Sequence, residues 1–311
     1  MKTIVLGATG RLGREVVREF VGAGHQVVAV TRSANPPGNR NALRWVTLDA
    51  RDVAGHHTLF AHADCVIDAR NQRYDDWSGY PAMITATLAA LEGTQARYVY
   101  VDNLYLYGRP PSSDAVDETA PRMPVSEKGR IRCDIEAQLQ VAMRDHAIVI
   151  VRFPDFYGIT TDPLPRALRW FGPPTLAHQF IHVPDAAHAV RLLAEELAAY
   201  GDIWHVTGAE PITGDALRDI TQQVVGRPVR LHVIGPALVH LMGLVYGPAR
   251  GLRETQYLWQ TPVTLSMAKF ASRFDTRFIH SHVNALREIV QKTGGTSQAI
   301  NSSAAFMEIG Q

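Results

Sequence analysis

The 311-residue sequence predicts an α/β protein built on a Rossmann-type doubly wound parallel sheet, with a smaller mixed C-terminal substrate domain. Two observations carry this expectation. Short apolar, β-branched runs alternate with helical periodicity through the first half of the chain, the pattern of right-handed βαβ crossovers. A glycine-punctuated segment, Gly7-Ala8-Thr9-Gly10-Arg11-Leu12-Gly13, joins the first strand run to the first helical stripe.

The elements follow in chain order. Lys2 to Gly7 is a short apolar strand run, and Val16, Val17, Phe20 and Val21 then share one helical face. Gly22 and Gly24 end that helix; Gln26 to Val30, Arg44 to Leu48 and Cys65 to Ala69 read as the next three strands. Pro81 to Leu91 is a helix with proline in its first turn. Arg97 to Val101 is a fifth strand. Ile131, Ile135, Leu139 and Met143 repeat at i, i+4 and mark a helix before the strand Ala147 to Phe153. Past Pro154 the prolines at 163, 165, 173 and 174 loosen the pattern, until a helix (Asp185 to Leu197) and a strand (Ile203 to Thr207) restore it. Residues 1–155 with about 182–207 are therefore assigned to a dinucleotide-binding domain, and 156–181 with 208–292 to a substrate domain. Residues 293–311, small and polar without a period, are assigned to a flexible tail.

Composition narrows the function classes. Lys and Arg number 31 against 30 Asp and Glu, a net +1, so no basic footprint for nucleic acid exists. Two cysteines, Cys65 and Cys133, cannot build a disulfide framework, which favours a reducing, cytoplasmic setting. No apolar run reaches the roughly 18 residues of a membrane span, and Met1 opens directly onto a strand rather than a signal sequence. Thirteen histidines invite a metal search. His56 and His57 are adjacent and diverge, His178 and His182 sit in strand-like sequence, and no HExxH or Cys pair occurs, so no metal site is expected. A Gly-x-Ser-x-Gly elbow is also missing, which argues against a hydrolase.

The glycine loop is the strongest chemical signal. Glycines allow a positive φ and close approach of backbone to a pyrophosphate, and the helix N-terminus adds N–H groups and partial positive charge. Gly7, Thr9, Gly10, Arg11, Leu12 and Gly13 are accordingly candidates to bind a dinucleotide. At the end of the second strand, where an acidic residue would hold an NAD ribose, the chain reads Val30-Thr31-Arg32-Ser33. Arg32 can pair bidentately with a 2′-phosphate and Ser33 can donate to it, which favours NADP over NAD. Asp49 is a candidate for the adenine amine, and Ala69 stands where a ribose would pass. Arg70, beside it, reads equally as a contact for a phosphate or an anionic substrate and as a plain surface arginine. Tyr74, Trp77, Tyr80, Trp170, Phe171, Tyr246, Tyr257 and Trp259 are candidates to line an apolar pocket, with core packing the plainer reading of each. The segment Leu238 to Tyr246 suits a lid, a pocket wall or a dimer face.

GATGxxG at the N-terminus, Tyr107-Gly108 after the fifth strand, Phe156-Tyr157-Gly158 after the sixth and Val183-Pro184-Asp185-Ala186 further on occur in this order. Together they resemble the extended and atypical short-chain dehydrogenase/reductases, in the NAD-dependent epimerase/dehydratase branch. The resemblance runs from residue 1 to about 220, weakens to 292 and is absent from the tail. It implies Phe153 and Pro154 near the nicotinamide, and a homodimer formed through helices flanking the sheet. It also implies a Ser or Thr after the fifth strand and a Tyr-x-x-x-Lys on the next helix. Here Asn103 stands in the serine position, Lys128 in the tyrosine position and Arg132 in the lysine position.

Three outcomes follow from that substitution. Lys128, four residues from Arg132 and so on the same helix face, acts as general base beside a ribose-holding Arg132. Alternatively Tyr105 or Tyr107 supplies the proton from the opposite wall. In the third, no proton relay exists and the protein only binds dinucleotide, the more so if Asp102 neutralises Lys128. The leading expectation is an NAD(P)-dependent oxidoreductase or epimerase acting on a small hydroxyl or carbonyl compound. Asn103, Lys128, Arg132 and Tyr105 are its catalytic candidates, and a non-catalytic redox sensor is the alternative.

Overall fold

The computed structural model describes residues 1–36, 38–110, 114–157, 167–245 and 247–294. The chain enters through β1 (Lys2–Leu6), α1 (Arg11–Gly22), β2 (Gln26–Thr31), β3 (Leu43–Thr47), α2 (Val53–Phe60), β4 (Cys65–Asp68), α3 (Tyr80–Leu91), β5 (Arg97–Asn103), α4 (Glu127–Ala142) and β6 (Ile148–Phe153). Short strands β7 (Asp155–Tyr157), β8 (Ala167–Trp170), β9 (Ala177–His178) and β10 (Phe180–His182) precede α5 (Val183–Glu195) and β11 (Asp202–His205). The remainder comprises β12 (Ile212–Thr213), α6 (Gly214–Val225), β13 (Arg230–Val233), α7 (Pro236–Met242), α8 (Gly247–Thr255), α9 (Tyr257–Gln260), α10 (Ala268–Ala271) and α11 (His282–Gly294).

The central sheet has seven strands in the order β11-β6-β5-β4-β1-β2-β3. Every pairing in it is parallel. This is the Rossmann-type doubly wound fold that the alternation predicts. Successive strand residues face opposite layers, as the period of two requires. Ile4 and Leu6 join Val28, Val30, Val66, Tyr98 and Ile150 in the core under α3 and α4. Val5 joins Val27, Ala29, Ile67, Val99 and Val149 in the core under α1 and α5.

Three two-stranded sheets, β10-β7, β12-β9 and β13-β8, surround this unit. A third core, of Trp170, Phe171, Phe180, Trp259, Leu286 and others, lies among them. Helix α2 is a departure from the sequence expectation, which left 53–60 without an element. Its apolar periodicity is weak, and Asp52 starts it by accepting from the Gly55 N–H at 2.9 Å, an N-cap. Among the described residues no helix is long and apolar enough to cross a membrane. Of the tail expected at 293–311, the first two residues instead close helix α11, and 295–311 fall outside the described residues, as do Tyr246 and Gly158.

Candidate active site

A cleft crosses the carboxyl ends of the parallel strands, where the strand order reverses and such sheets bind ligands. Leu6 and Gly7 after β1, Thr31 and Arg32 after β2, Ala69 after β4, Asn103 at the end of β5 and Pro154 after β6 line it. The geometry of one end is set by glycine. Gly7 has φ +77°, and a Cβ there would stand 2.8 Å from the Ala69 carbonyl oxygen; a Cβ on Gly13 would stand 2.1 Å from the Gly7 carbonyl oxygen. Helix α1 therefore docks against the loop at a distance that side chains forbid. Gly10 is the N-cap of α1 and provides no side-chain cap, and the first turn holds no acidic residue. Its leading N–H groups are left for an anionic ligand. This cradle fits the pyrophosphate of a dinucleotide.

Of the cofactor candidates, Gly7, Thr9, Gly10, Arg11, Leu12, Arg32, Ala69, Arg132 and Pro154 line the cleft. Arg32 is exposed, and no carboxylate among the described residues pairs with it. Gly13 lies behind the loop. Ser33 and Asp49 follow the lining residues as exposed neighbours. The Ser33 hydroxyl donates to the Asn35 carbonyl at 3.3 Å, and Asp49 accepts the Arg51 N–H at 2.9 Å. Phe153 is wholly buried with its ring 5.5 Å from that of Phe156, so Pro154 and Phe156 rather than Phe153 face the cleft.

The catalytic candidates divide. Asn103, Tyr105 and Arg132 line the cleft, and the Asn103 side-chain oxygen accepts the Tyr105 N–H at 3.1 Å. Arg132 is 3% exposed. Its guanidinium carbon lies 4.7 Å from the Trp77 ring centre and 4.8 Å from that of Tyr80. It donates to the Tyr80 hydroxyl at 3.3 Å and to that of Tyr100.

Lys128 turns away. Its side chain is buried, donating to Glu254 Oε2 at 3.3 Å and to the Gly251 carbonyl at 3.4 Å, both on α8. The ammonium also lies 4.9 Å from the Tyr74 ring centre. Burying an ammonium demands a paired acceptor, and Glu254 supplies it, so Lys128 does not stand in the cleft beside Arg132.

Asp102 likewise does not reach Lys128. It binds Arg152 at 2.8 and 2.9 Å and lies 3.4 Å from Arg132 Nε. Tyr107 is excluded from the cleft by the same network. Its hydroxyl accepts from Arg152 at 2.6 Å and lies 2.6 Å from His205 Nε2. Burial, helped by Arg152, drives the His205 pKa down to about 3. Arg70 lines the cleft, but it is committed to Asp68 at 2.6 and 2.9 Å and to the Thr87 hydroxyl at 2.5 Å. Burial opposes the Asp68 charge, and Arg70 outweighs it, holding the carboxyl below its ordinary range. The phosphate contact expected of Arg70 is thus replaced by an internal ion pair. The described aromatics Tyr74, Trp77, Tyr80, Trp170, Phe171, Tyr257 and Trp259 pack in the cores instead of lining the cleft.

His56, weighed from sequence only as a metal ligand, and Asp155, not assigned to any site, both line the cleft. His56 on α2 is 1% exposed, and its Nδ1 has no hydrogen-bond partner among the described residues. Burial first, then Arg70, lower its pKa, so the ring is neutral. The half-buried side chain of Asp155, the first residue of β7, has no hydrogen-bond or ion-pair partner among the described residues. Burial alone raises its pKa to about 7. A carboxyl that exchanges its proton near neutrality, in a cleft, is suited to general acid–base work. The signal for it was the polar residue next to Phe153-Pro154, the pair that the family resemblance puts near a nicotinamide.

Comparison with known proteins agrees with this geometry. Residues 7–156 match the NAD(P)H-binding family, so the first half of the chain carries an NAD(P)-binding domain. A 2'-dehydrokanamycin reductase of Streptomyces kanamyceticus is 25% identical over 319 aligned positions, covering 96% of this chain and 82% of that protein. Among solved structures, dTDP-glucose 4,6-dehydratase of Bacillus anthracis, in complex with NAD, superposes with a TM-score of 0.75 at 12% identity, covering 96% of this chain and 97% of that one. UDP-glucose 4-epimerase of Thermus thermophilus, also with NAD, gives 0.73 at 18%, covering 95% and 100%. At these identities the structural likeness establishes the fold.

Proposed function

We propose that this protein is an NADP(H)-preferring oxidoreductase that reduces a carbonyl, or oxidises the matching hydroxyl, on a small polar molecule such as a keto sugar. The observation that carries this reading is the cleft itself. One end presents a helix N-terminus without a side-chain cap and an exposed Arg32 that no carboxylate pairs with among the described residues, and the other holds Asn103, Tyr105 and Asp155. The named reductase relative supports the direction of chemistry and the sugar-like substrate class.

A bound reduced nicotinamide dinucleotide would supply the hydride. Gly7, Gly10 and Gly13 shape the loop around its pyrophosphate, Leu12 and Ala69 pack against it, and Arg32 with Ser33 meets a 2′-phosphate. Arg132, caged by Trp77, Tyr80 and Tyr100, provides a fixed cation at the ribose. Asn103 orients the substrate oxygen, and Asp155 gives it a proton as the carbonyl becomes an alcohol, leaving the carboxylate to be reprotonated from water. The Tyr105 hydroxyl, buried with its pKa raised well above the ordinary value by burial, stays neutral and serves as a hydrogen-bond donor. Asp155 thus takes the proton-handling role first considered for Lys128, whose side chain points to Glu254 at the back of the wall.

The test follows NADPH absorbance with a panel of keto sugars and small ketones, using wild type and Asp155→Asn. The reading requires substrate-dependent oxidation of NADPH that Asp155→Asn loses while still binding NADPH. Tight dinucleotide binding with no turnover across the panel favours a redox sensor instead.

A further inference from the structure

At the end of the β10–β7 pair, where His182 lies opposite Tyr157, three elements bring together side chains that the dinucleotide reading does not use. His182, the N-cap of α5, His280 in the turn before α11, and Glu288 on α11 each offer a ligand atom, and these atoms lie within 4.8 Å of one another. His280 Nε2 is 3.7 Å from Glu288 Oε2. We propose that His182, His280 and Glu288 bind a divalent transition-metal ion of the zinc type, with Asp185 orienting His280.

The independent sign of a ligand is His182. Its side chain is fully buried, and neither Nδ1 nor Nε2 has a hydrogen-bond partner among the described residues. An imidazole needs a donor or acceptor for each nitrogen, and leaving such a group buried and unmatched costs about 1–3 kcal/mol. Coordination of one nitrogen by a metal removes that cost. The nearest carboxylate, Asp185, does not remove it, since its Oδ1 stands 3.7 Å from His182 Nδ1 and is engaged elsewhere. Asp185 Oδ1 lies 2.6 Å from His280 Nδ1, and its Oδ2 accepts the His280 backbone N–H at 2.8 Å.

That arrangement is how a carboxylate fixes a metal-binding histidine. With Nδ1 directed at Asp185, the ring presents Nε2 on the side of Glu288 and is held in that orientation. Glu288 is steadied in turn by Lys292, one helical turn on, which donates to its other oxygen. The positive end of α5 opposes a cation at this position, and Asp185 in its first turn offsets it. His282 stays outside the set, because its nitrogens are within bonding distance of the Tyr157 hydroxyl at 3.2 Å and the Glu210 carbonyl at 2.8 Å.

Two nitrogens and one carboxylate, with a fourth position for water, match a tetrahedral zinc ion. Metal–ligand lengths near 2.0–2.2 Å put tetrahedral ligand atoms roughly 3.4 Å apart. The His280–Glu288 pair is close to this already, and His182 has the larger adjustment to make. None of these residues lines the nucleotide cleft, so the ion would fasten α11 to the start of α5. The spacing of ligands along the chain explains why no sequence motif announced the site: His182 and His280 are separated by nearly a hundred positions.

The experiment uses the untagged full-length chain, stripped with chelator and titrated with zinc chloride by calorimetry. Metal content after dialysis and the thermal midpoint are measured in parallel. Wild type binds one equivalent, with a rise in midpoint. His280→Ala and Glu288→Gln, both at partly exposed positions that tolerate change, weaken binding by at least about tenfold and lose the midpoint rise. His240→Ala, on the exposed face of α7, changes neither. Failure of wild type to bind one equivalent, or one-equivalent binding that survives both site variants, overturns the proposal.

Discussion

Lys128 Nζ lies 3.3 Å from Glu254 Oε2, joining α4 to α8 across 126 residues of sequence. The contact decides which residue can move a proton in the cleft. An ammonium compensated by a carboxylate behind the wall is a structural charge, whereas a catalytic one must face substrate. Lys128→Met is therefore expected to keep turnover within about threefold of wild type, measured as kcat and kcat/KM with NADPH. Glu254→Gln leaves the 5%-exposed Lys128 side chain without its partner. With Glu254 itself a third exposed, the expected loss is about 2 kcal/mol in chemical denaturation, below the range for a fully buried pair.

Asp155 gives the opposite expectation. Asp155→Asn removes the transferable proton and should lower kcat by about 100-fold or more, with NADPH affinity unchanged. Because the carboxyl must be protonated to act as an acid, wild-type reduction slows as pH rises through about 7. The pH profile of kcat/KM checks this, and the residual activity of Asp155→Asn should lack the same limb.

The same substitution should stabilise the fold. Burial lifts the Asp155 pKa from 3.8 to about 7, so between those values the folded chain holds a proton that the unfolded chain has lost. Stability contributed at this position is then highest below pH 4, falls as pH rises toward 7, and stays low above it. Asparagine carries no such dependence. Asp155→Asn should therefore exceed wild type by roughly 2–4 kcal/mol at pH 8 and approach it near pH 4, as urea titrations at the two pH values would show.

Gly13→Ala tests the phosphate cradle. The added Cβ would meet the Gly7 carbonyl oxygen at 2.1 Å, and backbone must move to admit it. A loss of about 1–3 kcal/mol in stability and more than about tenfold in dinucleotide affinity is expected, read by denaturation and by quenching of intrinsic fluorescence on NADPH binding.

The strands and the glycine loop were legible because their signals are local. Val5 and Ile4 face opposite layers simply because they are neighbours, and Gly7 and Gly13 report a close approach within one turn. Helix α2 was missed because Val53–Phe60 carries little apolar periodicity and relies on the Asp52 cap. The site was only half legible. Asn103 and Arg132 were placed by strand and helix position, but the partner of Lys128 lay beyond any local pattern. Arg70 is neither of the two things its sequence offered, a ligand contact or a surface arginine, because it pairs with Asp68, two residues earlier at the end of β4. Such a pair at a strand end is a signal that sequence inspection can use. The apolar run at 238–245 was also ambiguous. In the structure Val239 is buried while Leu238, Leu241, Leu244 and Val245 are exposed, and none of them lines the cleft.

The central claim is that this cleft binds NADP(H) through Arg32. The most direct measurement is calorimetric titration of wild type and Arg32→Glu with NADPH and NADH under one set of conditions. Wild type should bind NADPH at least about tenfold more tightly than NADH, since a bidentate guanidinium–phosphate contact is worth about 1.5–3 kcal/mol. Arg32→Glu should lose that preference or invert it. Equal affinities in wild type, or a preference for NADPH that Arg32→Glu leaves intact, would contradict the account.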